Sequence, residues 1–358
     1  MIAYLVAILV LCIAFDFING FHDAANSIAT VVSTKVLSPV QAVVWAAMFN
    51  FIAYFLAKYL IGFGVAQTVQ KTVDTAQVTA VDGVAQIMPI IICALSAAII
   101  WSLLTWWKGI PSSSSHTLIG GLVGASVAAS GWHAVHWLTV GKIALFIVVA
   151  PLIGFVAGNI IMILTTWLFR RTKPHKMDKW FRRLQLLSSA FLSLGHGLND
   201  STKEIGVIAC ALAAFTQAGQ ALPSWLHPSE VLAQTGILVP EWAAFACFTA
   251  IAVGTMSGGW RIIKTMGNRI TKITPVEGFC SQTAGALTIA VSQIFKIPVS
   301  TTHVISSGIM GTGAVKRLSA VRWGVSIDMI TAWVITIPVS ATIGATVYLV
   351  VHAVASMI

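Results

Sequence analysis

Gly20-Phe21-His22-Asp23-Ala24-Ala25-Asn26-Ser27-Ile28-Ala29 places a histidine, an aspartate and an asparagine inside an otherwise apolar run. Gly197-Leu198-Asn199-Asp200-Ser201-Thr202-Lys203-Glu204-Ile205-Gly206 repeats the device in the second half. Each stretch is followed by a proline, a hydroxyl cluster and a histidine: Ile110-Pro111-Ser112-Ser113-Ser114-Ser115-His116-Thr117, then Ile297-Pro298-Val299-Ser300-Thr301-Thr302-His303-Val304. The order of the motifs recurs. A polar pair duplicated within apolar segments is how many transporters build one central site from two halves. The pattern points to a carrier for a small hydrogen-bonding solute.

Composition sets the class independently. With 57% hydrophobic and 9% charged residues and a mean hydropathy of +0.89, a chain of 358 residues has too little polar surface for a water-soluble globule. It reads as a polytopic membrane protein embedded in a lipid bilayer. The net charge of +10 comes from basic residues between apolar segments, where they orient helices, so no nucleic-acid partner is expected. Cys12, Cys93, Cys210, Cys247 and Cys280 lie scattered in apolar runs and read as small buried residues. The N-terminal MIAYLVAILV, lacking a basic region and a cleavage site, reads as the first membrane helix.

Runs long enough to cross a bilayer, about 20 residues each, fall at 2–33, 40–63, 86–107, 111–131 and 142–169, then at 184–216, 238–257, 276–294, 298–315 and 323–350. An odd number of crossings per half inverts the second copy. The parity is the same if each Pro-Ser segment is the tip of a re-entrant hairpin. The expected organisation is thus a membrane repeat over 1–169, a basic cytoplasmic linker over 170–183 and an inverted membrane repeat over 184–358. Placing Arg170, Arg171, Lys173, Lys176, Lys179, Arg182 and Arg183 in the cytoplasm puts most of the 21 Lys and Arg there, with both termini external. The first segment of each half, at about 48 Å of helix against about 30 Å of hydrocarbon, is too long for a simple span. Breaks are expected at Asn19-Gly20 and Gly195-His196-Gly197, where glycine weakens a helix.

An ionisable side chain inside the membrane is costly unless it is paired or lines a polar cavity, which singles out Asp23 and Asp200. On a helix Asp23 shares a face with Asn26, and Asp200 with Lys203 and Glu204; the plain alternative is that Asp200 and Lys203 only neutralise each other. A proline followed by several hydroxyls at a helix start offers free N–H groups and the positive end of the helix dipole to an oxyanion. Capping needs one hydroxyl, whereas four stand at Ser112–Ser115 and three at Ser300–Thr302. His22, His116, His196 and His303 accompany no metal-ligand spacing and read as packed or hydrogen-bonded residues. No GxSxG elbow supports hydrolase chemistry at Ser115, and no catalytic residue is expected. Phosphate reconciles carboxylates with anion cradles: it carries a proton that an aspartate can accept while hydroxyls and N–H groups donate to its other oxygens. Sulfate has no such proton.

These residues resemble the inorganic phosphate transporter (PiT) family, above all its bacterial low-affinity members. FINGFHDAANSIATVVSTKVL is similar to the family's first signature, HGLNDSTKEIG to its second, and PSSSSHTLIG and PVSTTHVISSG to its hairpin motifs. The resemblance implies an all-α membrane protein with inverted-topology repeats, broken helices and re-entrant helical hairpins. It further implies cation-coupled phosphate symport across the cytoplasmic membrane by alternating access, and a homodimer. Carried over by position, phosphate-binding residues are Asp23, Asn26, Ser113, Ser114, Ser115, Asp200, Ser300, Thr301 and Thr302. Coupling-cation candidates are Asp23, Asn26, Asn50, Asp200, Lys203 and Glu204, the cation being H⁺ or Na⁺; no other cofactor or metal is implied. Asn50 stands where related eukaryotic members often carry Glu, and Lys203 occupies the place equivalent to Asn26. Alternatives are a carrier of metal-phosphate complexes or of another tetrahedral oxyanion, and a cation channel lined by Asp23, Asp200 and Glu204.

Overall fold

The computed structural model describes the chain except residues 74, 76, 77, 80–82 and 358 and the side chain of residue 268. α1 (Ile2–Ser33) and α2 (Pro39–Leu56, prolonged by a π turn at Ala57–Ile61) lead through α3 (Gly64–Gln70) to a helical pair, α4 (Ile87–Lys108) and α5 (Ser114–Ser130), and to α6 (Trp137–Leu168). α7 (Pro174–Gln217) leads through the single turn α8 (Glu230–Ala233) to α9 (Glu241–Ser257), α10 (Trp260–Lys264), a second pair, α11 (Pro275–Ile294) and α12 (Thr301–Lys316), and finally α13 (Trp323–Ala355). Among the described residues the only β pairing is an isolated bridge between Val73 and Val135.

α1, α2, α4, α6 and α13 are long and apolar enough to cross a membrane, and α9 with α10 forms a sixth crossing if that pair, bent by 59°, is one span. Ten runs were expected from the sequence, and the remaining helices exist but differ in kind. α5 and α12, of 17 and 16 residues, are shorter than a simple crossing. α7 and α11 are interrupted by polar residues, including Gln185, Ser188, Ser193, Ser281 and Gln282, that are buried inside the bundle. Of the expected linker, residues 174–183 form the start of α7, with Pro174 in its first turn.

The expected helix breaks do not occur. α1 runs unbroken for 32 residues and α7 for 44, so the excess over a membrane span is met by tilt or by protrusion. The glycines serve close packing instead. A Cβ on Gly20 would lie 2.2 Å from the Ile251 carbonyl oxygen of α9, and one on Gly254 of α9 would lie 2.1 Å from the Phe17 carbonyl oxygen of α1. Gly197 likewise packs on the backbone of α2, where an added Cβ would lie 2.7 Å from the Asn50 carbonyl oxygen. Without hydrophobic driving force in lipid, backbones approach where side chains are smallest.

The halves exchange partners. α5 packs on α13, while α12 packs on α6; α1 packs on α9, while α2 packs on α7. α1 and α7 also touch each other, and so do α2 and α9. Glycines make the crossed contacts close: Gly124 of α5 faces the Ala341 oxygen of α13, and Gly311 of α12 faces the Phe155 oxygen of α6. Each pair therefore delivers its tip, residues 111–113 or 298–300, against the α1–α7 contact at the centre.

Candidate functional site

The two tips are built alike. Ser113 caps α5, its Oγ accepting the His116 N–H at 3.2 Å, and Ser300 caps α12, accepting the His303 N–H at the same 3.2 Å. One hydroxyl per tip is thus committed to the helix, as capping requires. The others, Ser112, Ser114 and Ser115 on one tip and Thr301 and Thr302 on the other, point their hydroxyls at α1, α4, α7 or the opposite tip. Replacing Ser113 by alanine is expected to cost about 1 kcal/mol, read as a lowered thermal unfolding midpoint; an unchanged midpoint would remove the capping assignment.

α1 supplies one floor of the site. His22 Nδ1 lies 2.7 Å from Asp23 Oδ1, and its Nε2 lies 3.1 Å from Thr105 Oγ1. Ser112 Oγ donates to Thr105 Oγ1 at 2.9 Å and so joins tip to floor. Asp23 accepts from Ser114 of the first tip and from Thr302 of the second, each at 3.5 Å. Asn26 Nδ2 donates to both Thr301 and Thr302 at 3.0 Å.

α7 supplies the other. Lys203 Nζ donates to Asp200 Oδ1 at 2.6 Å and to the Ser115 hydroxyl of the first tip. Asn199 Nδ2 donates to Asp200 Oδ1 at 2.7 Å and to the Val299 carbonyl of the second tip at 2.8 Å. Contacts within each half are joined by crossed ones: Asn26 of the first half holds the second tip, and Lys203, at the equivalent position of the second half, holds the first. Asp23, Asn26, Ser114, Ser115, Asp200, Lys203, Thr301 and Thr302 are thus brought together, none more than 4% exposed.

One atom from each of Asp23, His196 and Asp200 falls within 4.8 Å of the others, close enough to hold a cation, and among the described residues this is the only such group of three. His196 Nε2 lies 3.0 Å from Asp200 Oδ2 and its Nδ1 lies 3.2 Å from Asn50 Oδ1. The two carboxylates are offset by one ammonium, Lys203, 2.6 Å from Asp200, and a cation between them would offset the second. Asn50 stands one layer out, donating to Thr255 Oγ1 at 2.8 Å. Glu204 does not join the group.

Sequence reasoning missed His196 as a neighbour of both aspartates, Asn199 as a strut to the second tip, and Asp16 and Asn19, which are fully buried on α1. Their signal was in the sequence: Asp16, Asn19 and Asp23 follow the i, i+3, i+7 spacing of one helix face. His116 and His303 face each other beneath the tips with ring centroids 4.9 Å apart, His303 stacking on Trp333 at 4.2 Å. They are packed residues, as the lack of ligand spacing suggested.

A bundle with apolar outer helices and a buried polar centre reached by two helical pairs defines an integral membrane protein. The chain belongs to the phosphate transporter family, whose family model matches residues 19–344. It is 45% identical over 344 residues to a probable low-affinity inorganic phosphate transporter of Rhizobium meliloti (strain 1021), covering 96% of this chain and 95% of that protein. It is 41% identical over 349 residues to the probable low-affinity inorganic phosphate transporter of Bacillus subtilis (strain 168), covering 97% of each. The fold is shared with the solved structure of a sodium-dependent phosphate transporter, with a TM-score of 0.83 at 23% identity over 98% of this chain and 99% of that one.

Proposed function

We propose that this protein is a cation-coupled phosphate symporter that works by alternating access, and not an enzyme. The observation that carries the reading is the meeting of two hydroxyl tips at Asp23, Asn26 and Lys203, with Asp200 held beside them by Lys203. Ser114, Ser115, Thr301, Thr302, Asn26 and Lys203 supply donors for phosphate oxygens, the N-termini of α5 and α12 add N–H groups, and an aspartate accepts the phosphate proton. The coupling cation, H⁺ or Na⁺, balances this negative charge near Asp23, His196 and Asp200; the sodium dependence named for the structural neighbour supports a cation.

In the structure the tip hydroxyls bond directly to the floor, so phosphate enters only when a tip withdraws. Because each tip rides on a helix packed against the opposite half, withdrawal of one and then the other opens the site to the two sides in turn. The reciprocal packing of the halves supports an inverted repeat divided near residues 169–184. In this reading the protein sits in the cytoplasmic membrane with both termini external, as a homodimer on the family's precedent. A reporter fused at residue 176 is expected on the cytoplasmic side.

The test is uptake of radiolabelled phosphate into proteoliposomes under an imposed Na⁺ gradient and, separately, a pH gradient. Uptake driven by one names the coupling ion. Uptake under neither, with folded protein, would overturn the symport reading.

A further inference from the structure

The central network leaves buried polar groups of the same helix pair unused. Asp16 and Asn19 lie on the α1 face that carries Asp23, and Glu204 lies one turn beyond Asp200 on α7. α1 and α7 pack together; Asp16 and Asn19 are fully buried and Glu204 is 1% exposed. Neither oxygen of Asp16, neither polar atom of Asn19 and not Oε2 of Glu204 has a conventional hydrogen-bond partner. The Asp16 and Glu204 carboxyls nevertheless face each other within hydrogen-bonding reach, and Asp16 also meets the Cys247 thiol. The other titratable and charged groups that act on the pair are Cys12 of α1, Asp200 and Lys203 of α7 and, through its thiol, Cys247 of α9.

Two carboxylates in contact form no hydrogen bond unless one carries a proton, and a single proton supplies the missing donor to both. With both ionised, two like charges would face each other in a water-excluded site that already holds the negative charge of Asp200. Lys203 cannot serve them all, since its ammonium is bound to Asp200 and Ser115. A metal ion fits poorly: although Asp16, Glu204, Cys12 and Cys247 are of ligating types, no three of them converge as Asp23, His196 and Asp200 do. Asn19, unpartnered beside Asp16, is free to turn donor or acceptor toward the pair as its protonation changes.

We propose that Asp16 and Glu204 form a proton-binding site, distinct from the Asp23–His196–Asp200 group, in which the two carboxyls share one proton that is taken up from one side and released to the other during transport. The proposal rests on the phosphate-carrier reading for its role in transport, but not for the existence of the site. Lys203 links the two places: it acts on both carboxyls and holds Asp200 and Ser115, so a phosphate that draws its ammonium changes the pair's hold on the proton.

The test uses full-length protein in proteoliposomes with Asp16→Asn, Glu204→Gln and the double variant. Phosphate uptake driven by a pH gradient is expected to fall at least about tenfold in each, while phosphate–phosphate exchange without a gradient stays within about twofold. Infrared difference spectra, wild type minus the double variant, are expected to show the carbonyl band of a protonated carboxyl that the variant lacks. Unchanged gradient-driven uptake in the double variant, or no such band in the difference spectra, overturns the proposal. Absence of phosphate–phosphate exchange in the wild type would instead sink the carrier reading, and the infrared band would still decide the site. If a variant does not fold, the same band followed in the wild type as pH is raised decides it: a carboxyl signal that never titrates counts against a shared proton.

Discussion

Asp200→Asn is expected to abolish phosphate uptake and to destabilise the protein by roughly 3–5 kcal/mol, the range for breaking a buried ion pair from one side. The Lys203 ammonium, 1% exposed, takes its charge-neutralising contact from Asp200 at 2.6 Å; its other bond, to Ser115, is to a neutral hydroxyl. Asparagine keeps the shape and removes the charge, leaving a cation in a low-dielectric interior. His196 loses its carboxylate partner in the same change. The double variant Asp200→Asn/Lys203→Gln removes both charges and is expected to recover most of the stability, since replacing a whole buried pair is far less costly than breaking one. It is not expected to recover uptake, because the cation group and the donor to Ser115 are both gone. Thermal unfolding in detergent and uptake in proteoliposomes separate the two effects. Wild-type uptake in the single variant would remove Asp200 from the site, and a double variant no more stable than the single would show that the pair is not what Asp200 stabilises. Asp23→Asn should also stop uptake but with less loss of stability, because its partner at 2.7 Å is the His22 imidazole, which Thr105 also holds at 3.1 Å, and not a lysine ammonium.

The sequence made the site legible for a specific reason: side chains that are costly in a membrane stand out against apolar neighbours. Asp23, Asn26, Asp200, Lys203 and the two hydroxyl clusters were all visible this way, and the structure brings them together. The crosswise pairing was not visible, because which tip meets which floor depends on α5 packing on α13 and α12 on α6, contacts between residues far apart in the chain. His196 was weighed as an ordinary packed histidine because its approach to Asp23 crosses from α7 to α1. Glu204 was visible; its approach to Asp16, like that of His196 to Asp23, crosses from α7 to α1. The helix breaks were misread because glycine has two uses. Its low helix propensity is a local property seen in the sequence; its missing Cβ matters only against a neighbour that the sequence does not show.

That second use gives the other large effect. Gly20→Ala adds a Cβ that would lie 2.2 Å from the Ile251 oxygen and 2.9 Å from the Thr255 nitrogen, both backbone atoms of α9. No side-chain rotation relieves such a contact, so α1 and α9 must separate, an overpacking cost of about 1–3 kcal/mol or more. The displacement leads toward the site. Thr255 Oγ1 donates to the Gly20 carbonyl at 3.3 Å and accepts from Asn50 at 2.8 Å. Asn50 in turn holds His196, which holds Asp200. Asp23 sits one turn along α1 from the substituted residue. The variant is therefore expected to lose both thermal stability and phosphate uptake although it touches none of the site residues. Gly141→Ala, on α6 with no atom within 4 Å of the added Cβ, is the control, expected to gain about 0.5–1 kcal/mol from helix propensity alone. If Gly20→Ala matched that control in stability and uptake, the close α1–α9 crossing would not be what positions Asp23 and Asp200.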